Sequence, residues 1–279
     1  MKFSLTFTQD QITPVKKQAL EKIAASVTLK GFRPGKAPLD MVEQSVSQEK
    51  IIEEAINLIV PDAYSTYIKD HQLKPITQPR IALKKMVTDG DWEFEVEIAE
   101  KPEVKLNNYK DAIKGELAKS SIWTPDKEIQ TKTDDPKQKQ DEESKRITMV
   151  FDTLLKTAEV EISELLIDEE VNRSLSRLLE QINKLGLTID QYLASIGKKP
   201  EELRKEYSQT ATDNLKLEFI LDAVASDEKI QATDKEVEEI LQTIKDPKVL
   251  ESVKNNPVEM AGIKYNIVKH KVVDFLMSL

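Results

Sequence analysis

The chain has 279 residues, of which 39% are hydrophobic and 33% charged, so it can hold two domains with buried cores. It contains no cysteine, which excludes disulfides, thiolate nucleophiles and cysteine-ligated zinc. Its apolar runs are too short to cross a membrane, and the alternating N-terminus lacks the core of a secretion signal. We therefore expect a cytoplasmic protein, and the net charge of -9 argues against a general nucleic-acid binder.

Residues 1 to about 105 are predicted to form a compact α+β unit, which begins with a strand. Phe3, Leu5 and Phe7 alternate there with polar residues, so one face of the strand is buried. Thr13 and Pro14 predict the start of a helix, with Thr13 as its N-cap and Pro14 in its first turn. The predicted apolar face of this helix consists of Val15, Ala19, Ile23 and Val27.

Two further helices and two further strands complete the predicted unit. Pro38 opens a short helix, and a longer helix follows Ser47 and is predicted to bend at Pro61. Ile81 and Leu83 indicate the second strand. In the third strand, apolar residues on one side alternate with glutamates on the other, namely Trp92, Phe94, Val96 and Ile98 with Glu93, Glu95 and Glu97.

The segment 30–40, between the first two helices, is the most informative part of the chain. The whole chain has only 7 glycines, and two of them lie in this short segment with three cations, one aromatic residue and two prolines. Glycine frees the backbone and proline stiffens it, whereas phenylalanine and arginine are residue types that anchor interfaces. The segment is therefore predicted to be a docking loop rather than a catalytic loop.

The six residues 31–36 resemble the ribosome-binding signature of the trigger factor family, bacterial chaperones that meet nascent chains at the ribosomal tunnel exit. The residues that match the signature are Gly31, Phe32, Arg33, Pro34, Gly35 and Lys36. The resemblance implies that Phe32 packs on a ribosomal protein, while Arg33 and Lys36 pair with acidic side chains or RNA phosphates. Gly31 and Gly35 would allow the tight loop. Pro34 stands where the family often has lysine, which implies weaker docking.

The charge distribution agrees with docking through one end of the molecule. Residues 16–36 contain six cations and one anion, a local charge of +5, which leaves -14 on the rest of the chain. An alternative interpretation is that the lysines of the first helix only form its solvated face.

After Ile147 the apolar pattern is helical to the C-terminus. Successive stripes predict helices around residues 147–158, 171–185 and 203–224, and Thr233 with Glu236 forms a capping box before the next one. A last apolar helix follows Met260. This pattern resembles the helical chaperone domain of trigger factor, a body with two projecting arms. It is also similar to the periplasmic chaperone SurA.

Most trigger factors carry an FKBP-like prolyl isomerase domain between these two parts, and here a polar stretch takes its place. We therefore predict an α+β protein whose N-terminal α+β ribosome-binding domain is followed by an all-α chaperone domain with projecting helical arms. The expected boundaries are 1–115 for the ribosome-binding domain, 116–146 for a polar linker and 147–279 for the chaperone domain. The stretch 116–146 is too polar to fold alone, so it is either a linker or the exposed start of a helix that gains an apolar face only at Ile147.

The predicted function is ATP-independent sheltering of nascent or unfolded polypeptides at the tunnel exit of the large ribosomal subunit. The expected partners are ribosomal protein or rRNA, unfolded polypeptides and a second copy in a weak homodimer, with no membrane. No catalytic residue, cofactor or metal is expected, because the two histidines, His71 and His270, lie in different predicted domains. Two alternatives remain open: a peptidyl-prolyl isomerase of the same family, and a ribosome-independent holdase of the SurA type.

Overall fold

The computed structural model describes residues 1–29, 32, 35–87, 90–121 and 136–279, with the side chains of 120, 121 and 136–139 excepted. The chain divides into two compact units, Met1–Lys101 and Pro102–Leu279. The sequence analysis placed the end of the first domain at 115, whereas the structure assigns residues 102–115 to the second unit. The reason is packing, because Tyr109 and Ile113 are buried in the main core of the second unit.

Within the part of the first unit that the structure describes, there are three strands and three helices. They are β1 (Lys2–Phe7), α1 (Gln9–Ser26), α2 (Leu39–Ser45), α3 (Gln48–Asp70), β2 (Arg80–Met86) and β3 (Trp92–Glu97). The strands form an antiparallel sheet in the order β1-β3-β2, so β3 is central and pairs Phe94 with both Leu5 and Leu83. The apolar side of β1 and β3 packs against α1 and α3, around the buried residues Leu5, Phe7, Ile12, Ala19, Ala55, Val60, Trp92, Phe94, Val96 and Ile98.

The predicted start of α1 is wrong. The helix begins at Gln9, and its N-cap is Thr8, whose backbone N–H donates to the side-chain oxygen of Gln11 at 3.0 Å. Pro14 therefore lies inside the helix, where it removes one backbone hydrogen bond. The Thr13 hydroxyl next to it donates to the carbonyl of Gln9 at 2.9 Å. The capping residues upstream outweigh the Thr13-Pro14 signal.

The described residues of the second unit are helical apart from one short pair of strands. Its elements are β4 (Val104–Lys105), α4 (Tyr109–Ser121), α5 (Pro136–Thr157), β5 (Glu159–Val160), α6 (Glu164–Lys184), α7 (Ile189–Ile196), α8 (Pro200–Asp227), α9 (Asp234–Gln242), α10 (Pro247–Asn255) and α11 (Pro257–Met277). Residues 136–146, predicted as linker or helix start, belong to α5. The helices α4, α7 and α10 were not predicted. Residues 122–135 of the predicted linker lie outside the described residues.

The main core of the second unit forms where α4 and α5 pack against the C-terminal halves of α8 and α11. Its buried residues are Tyr109, Ile113, Val150, Leu154, Ile220, Leu221, Val224, Val272 and Leu276. The Tyr109 hydroxyl donates to Glu228 at 2.8 Å, and Lys110 pairs with the same carboxylate. Burial and the hydrogen bond to Glu228 raise the pKa of Tyr109. These contacts fasten the start of α4 to the end of α8.

Two peripheral groups of helices are attached to this core, and we call them the first and second arm. The first arm (residues 164–212) consists of α6, α7 and the N-terminal half of α8, along which α6 packs. The second arm (residues 232–267) consists of α9, α10 and the N-terminal half of α11, around buried Val237, Leu241 and Ile267. Each arm therefore shares one long helix with the main core.

The second arm is held by an ionic contact between α9 and α11. Lys271 Nζ lies 2.8 Å from one carboxylate oxygen of Glu236, and the other oxygen accepts the backbone N–H of Thr233 at 2.7 Å. This confirms the predicted capping box. The hydrogen bond to Lys271 and those to Thr233 lower the pKa of Glu236 from 4.5 to about 2. In the described ranges, no helix has the length and apolar character needed to cross a membrane.

The lowered pKa of Glu236 predicts a specific pH dependence. A carboxylate with a lower pKa in the folded state stabilises the fold at pH values above 4.5, and this contribution is lost as the pH falls from 4.5 towards about 2. The variant Glu236→Gln keeps a capping side chain but cannot ionise, so it should unfold at a lower temperature than the parent at neutral pH. Thermal unfolding should show this difference shrinking below pH 4.5. A difference that is constant with pH would contradict the assignment.

Candidate docking site

The predicted docking loop connects α1 to α2, as the sequence analysis expected. Of its six signature residues, the structure describes Phe32, Gly35 and Lys36. Gly31, Arg33 and Pro34 lie outside the described residues, so their predicted roles are untested. The described part of the loop shows how it is attached and which side chains it exposes.

The loop is attached to a small apolar core that is separate from the core under the sheet. This core lies where the end of α1 meets α2 and the start of α3, and its buried members are Leu20, Ile23, Ala24, Val42 and Ile51. Leu29, Ala37 and Leu39, which flank the loop on both sides, pack against it. The described residues on both sides of the loop are therefore anchored in one core.

Gly35 is required by the backbone conformation of the loop. Its φ of +76° lies in the left-handed region, which side chains with a Cβ rarely adopt. A Cβ at this position would also lie 3.4 Å from the carbonyl oxygen of Ala25, near the end of α1. Glycine therefore lets the loop turn close to the helix that precedes it.

Phe32 is half-buried. Its backbone N–H donates to the carbonyl of Leu29 at 3.0 Å, which closes a turn at the start of the loop. Lys36 and Lys17 are exposed. Part of one aromatic ring and the ammonium groups of these lysines are thus presented at this end of the first unit.

Two of the lysines in α1 have partners within the fold. Lys22 Nζ lies 2.5 Å from a carboxylate oxygen of Glu54, and Lys16 Nζ lies 5.6 Å from the centre of the Trp92 ring. Both contacts link α1 to other elements of the first unit. Among the described residues, the basic character of this end therefore depends mainly on Lys17 and Lys36.

Potential metal ligands among the described residues include the two histidines, His71 and His270. Within them, no group of three histidine, cysteine or carboxylate side chains is placed to hold a metal ion. His71 stacks on Tyr67 with ring centres 4.0 Å apart, and its Nδ1 lies 2.9 Å from the Tyr67 carbonyl oxygen. His270 belongs to the other unit.

A second candidate surface lies on the two arms, for which the sequence analysis named no individual residue. In the described part of the second unit, every large hydrophobic side chain classed as exposed lies on an arm: Leu179, Leu185, Leu187, Ile196, Ile240, Val249 and Val258. Leu185 ends the apolar stripe predicted around residues 171–185, and it is 75% exposed. The signal available in the sequence was the Leu185-Gly186-Leu187 triplet, because the helix ends there and Gly186 has a φ of +72°.

Comparison with known proteins assigns both units. Residues 1–135 match the family model described as bacterial trigger factor protein, and residues 127–278 match the model of the trigger factor C-terminus. The chain is 39% identical to a trigger factor of Streptococcus mutans over 107 residues, which are 38% of this chain and 25% of that protein. It is 36% identical to that of Streptococcus uberis over 137 residues, 48% of this chain and 31% of the relative. The chain thus spans roughly a quarter to a third of these relatives.

A solved structure extends the similarity to the whole chain. It is described as "Promiscuous Substrate Recognition in Folding and Assembly Activities of the Trigger Factor Chaperone", and it superimposes with a TM-score of 0.65. The alignment covers 99% of this chain and 96% of that one, at 14% sequence identity. At this identity the likeness establishes the fold, namely an α+β part followed by a helical part.

The conformation of Gly35 predicts the cost of replacing it. Gly35→Ala should destabilise the first unit by about 1–2 kcal/mol, because alanine is strained in the left-handed region. The measurement is urea unfolding followed by the fluorescence of buried Trp92, in a Trp123→Phe background. Lys36→Ala, an exposed neighbour in the same loop, is the matched control and should change the stability little. Equal stability of the glycine and alanine forms would contradict the left-handed turn.

Proposed function

Because this chain belongs to the bacterial trigger factor family, we propose that it is an ATP-independent chaperone that docks on ribosomes and shelters unfolded polypeptides. Docking would take place at the tunnel exit of the large subunit, where ribosomal protein or rRNA would meet the loop 31–36. A protein that docks there works in the cytoplasm. The observation that carries the sheltering role is the concentration of exposed apolar side chains on the two arms.

The docking role is supported by how the loop is built. The residues on both sides of the loop are anchored in one core. Gly35 has a left-handed backbone conformation, and the side chain of the next residue, Lys36, is exposed. We propose that Phe32 packs on a ribosomal protein, while Arg33 and Lys36 pair with acidic side chains or phosphates. Such charge-assisted contacts weaken as salt screens them.

The sheltering role is supported by the distribution of exposed apolar surface. Scattered apolar residues are normal on any protein surface, but contiguous or clustered ones mark interaction sites. In the first arm, the exposed residues Leu185 and Leu187 follow the end of α6. In the second arm, Val258 at the start of α11 is 76% exposed. Apolar contact is non-directional, so such surfaces would accept many unfolded sequences with low selectivity.

We propose no isomerase activity for this chain. The two family matches overlap at residues 127–135, and only residues 122–135 separate α4 from α5. A domain typically needs about 50–250 residues, so this interval is too short to hold one. The helices α4 and α5 pack directly on each other and support the main core without an inserted domain. An isomerisation assay on a short X-Pro peptide should show only the uncatalysed rate.

The docking proposal predicts a selective loss of ribosome binding. Replacing Phe32, Arg33 and Pro34 together by alanine should lower the fraction that pellets with ribosomes at least about tenfold, because interface aromatics and arginines carry much of the binding energy. The parent protein should itself dissociate as the salt concentration rises from about 0.1 M to 1 M. Full retention of the triple variant in the pellet would contradict docking through the loop.

The sheltering proposal predicts that changes on the arms impair aggregation suppression but not ribosome binding. Replacing Leu185 and Leu187 by serine removes exposed apolar surface without emptying a core, so the protein should fold normally but suppress aggregation of a chemically unfolded probe protein less well. Light scattering measures this effect. The arm variant should still pellet with ribosomes, and the loop variant should still suppress aggregation. A single variant that loses both activities would contradict the separation of the two sites.

A further inference from the structure

The strand β2 has an apolar side and a cationic side. In its register with β3, Ile81 lies opposite Val96 and Leu83 opposite Phe94, so these residues point to the helix-covered side of the sheet. Beyond a bulge between Leu83 and Lys85, Met86 lies opposite Trp92 on the same side.

The helices do not cover this apolar side of β2. The buried cluster under the sheet contains residues of β1, β3, α1 and α3 but none of β2. As a result Ile81 is 42% exposed, Leu83 49% and Met86 41%, and the adjoining Val87 is 45% exposed. The residues of β3 that lie opposite Ile81, Leu83 and Met86 are all buried. The sheet therefore extends one strand beyond its helical layer, with apolar side chains uncovered.

The outer edge of β2 is also unpaired within the described part of the first unit. The sheet order is β1-β3-β2, so β2 uses one edge for β3 and leaves the other edge without a neighbouring strand. Backbone N–H and C=O groups on such an edge can pair with another extended chain. An uncovered apolar side next to a free edge offers both the backbone and the side-chain contacts that a bound strand needs.

The charges of β2 select the kind of chain that would fit. The polar residues of β2 are all cations, namely Arg80, Lys84 and Lys85. On the edge of β2 that pairs with β3, these cations lie next to glutamates of β3. Lys84 Nζ lies 3.0 Å from Glu95, and Arg80 lies 3.8 Å from Glu97. The strand β3 alternates apolar and acidic residues throughout, Trp-Glu-Phe-Glu-Val-Glu. It therefore shows which side-chain pattern complements β2.

The same charges argue against a second copy of this chain at the edge. Two β2 strands paired side by side would set lysines and arginine against each other, and like charges in neighbouring positions destabilise a strand pair. Lysines and a bulge on an edge strand also discourage uncontrolled self-association. A strand with acidic side chains at these positions would instead be attracted by the cations of β2.

We propose that the outer edge of β2 binds an extended polypeptide segment with alternating apolar and acidic side chains, which adds to the sheet as a fourth strand. Apolar side chains of the segment would cover Ile81, Leu83 and Met86, and its carboxylates would meet the cations on the other side. This inference deepens the proposed function, since it rests on the protein receiving unfolded chains, and it adds a sequence-selective site to the unselective arms.

The test uses the full chain and a fluorescently labelled synthetic peptide with the sequence of residues 91–98, Asp-Trp-Glu-Phe-Glu-Val-Glu-Ile. A control peptide carries lysine in place of its three glutamates. Fluorescence anisotropy should show the acidic peptide binding at least about tenfold more tightly than the basic one, because the basic peptide is repelled by β2. Equal affinity of the two peptides would overturn the proposal.

Variants and hydrogen exchange locate the binding. The double variant Ile81→Ser with Leu83→Ser should weaken acidic-peptide binding about tenfold, whereas Met41→Ser should not. Met41 on α2 is a matched control, because it is exposed to the same 49% as Leu83. Circular dichroism checks that both variants fold. The acidic peptide should slow amide exchange in residues 80–86.

Three outcomes of these measurements would overturn the proposal. Unchanged affinity of the double variant would exclude β2 as the site. Slowed exchange in the arms alone would leave the chaperone function standing but refute the strand site. If, in the absence of peptide, amide exchange in residues 80–86 slows as the protein concentration rises, a second copy of the chain occupies the edge. Loss of aggregation suppression with peptide binding intact would instead refute the proposed function alone.

Discussion

The second unit depends on two long helices that each belong to two different apolar clusters. The C-terminal halves of α8 and α11 close the main core with α4 and α5, while their N-terminal halves carry the first and second arm. The geometry of any surface formed by the arms is therefore set by the continuity of these two helices.

This arrangement explains why the arms expose apolar side chains while the main core does not. An arm is only one layer of helices deep, so a helix in it buries one side and leaves the rest to solvent. The edge strand β2 of the first unit is in the same situation, because the helical layer ends one strand short of it. A charge-rich chain with 33% charged residues tolerates such surfaces, since its net charge of -9 opposes association of its copies.

The sequence predicted those features that depend on local chemistry. The capping box of Thr233 and Glu236, the alternation in β3 and the loop between α1 and α2 are all confirmed. Features that depend on what covers a residue could not be predicted, since Leu185 continues a helical stripe but no element packs on it. Left-handed helix ends without glycine, as at Lys229 with a φ of 56°, also carry no sequence signal. The decisive loop residues Gly31, Arg33 and Pro34 remain predictions.

The separation between a supporting core and exposed arms is tested most directly by amide hydrogen exchange on the full chain, with and without a reduced and alkylated, permanently unfolded polypeptide. The account predicts that, within the second unit, exchange slows in residues 164–199 and 234–258. It also predicts that α4, α5 and the C-terminal halves of α8 and α11 exchange slowly and at the same rate in both samples. Slowed exchange confined to the main core, or no change in either arm, would contradict the account.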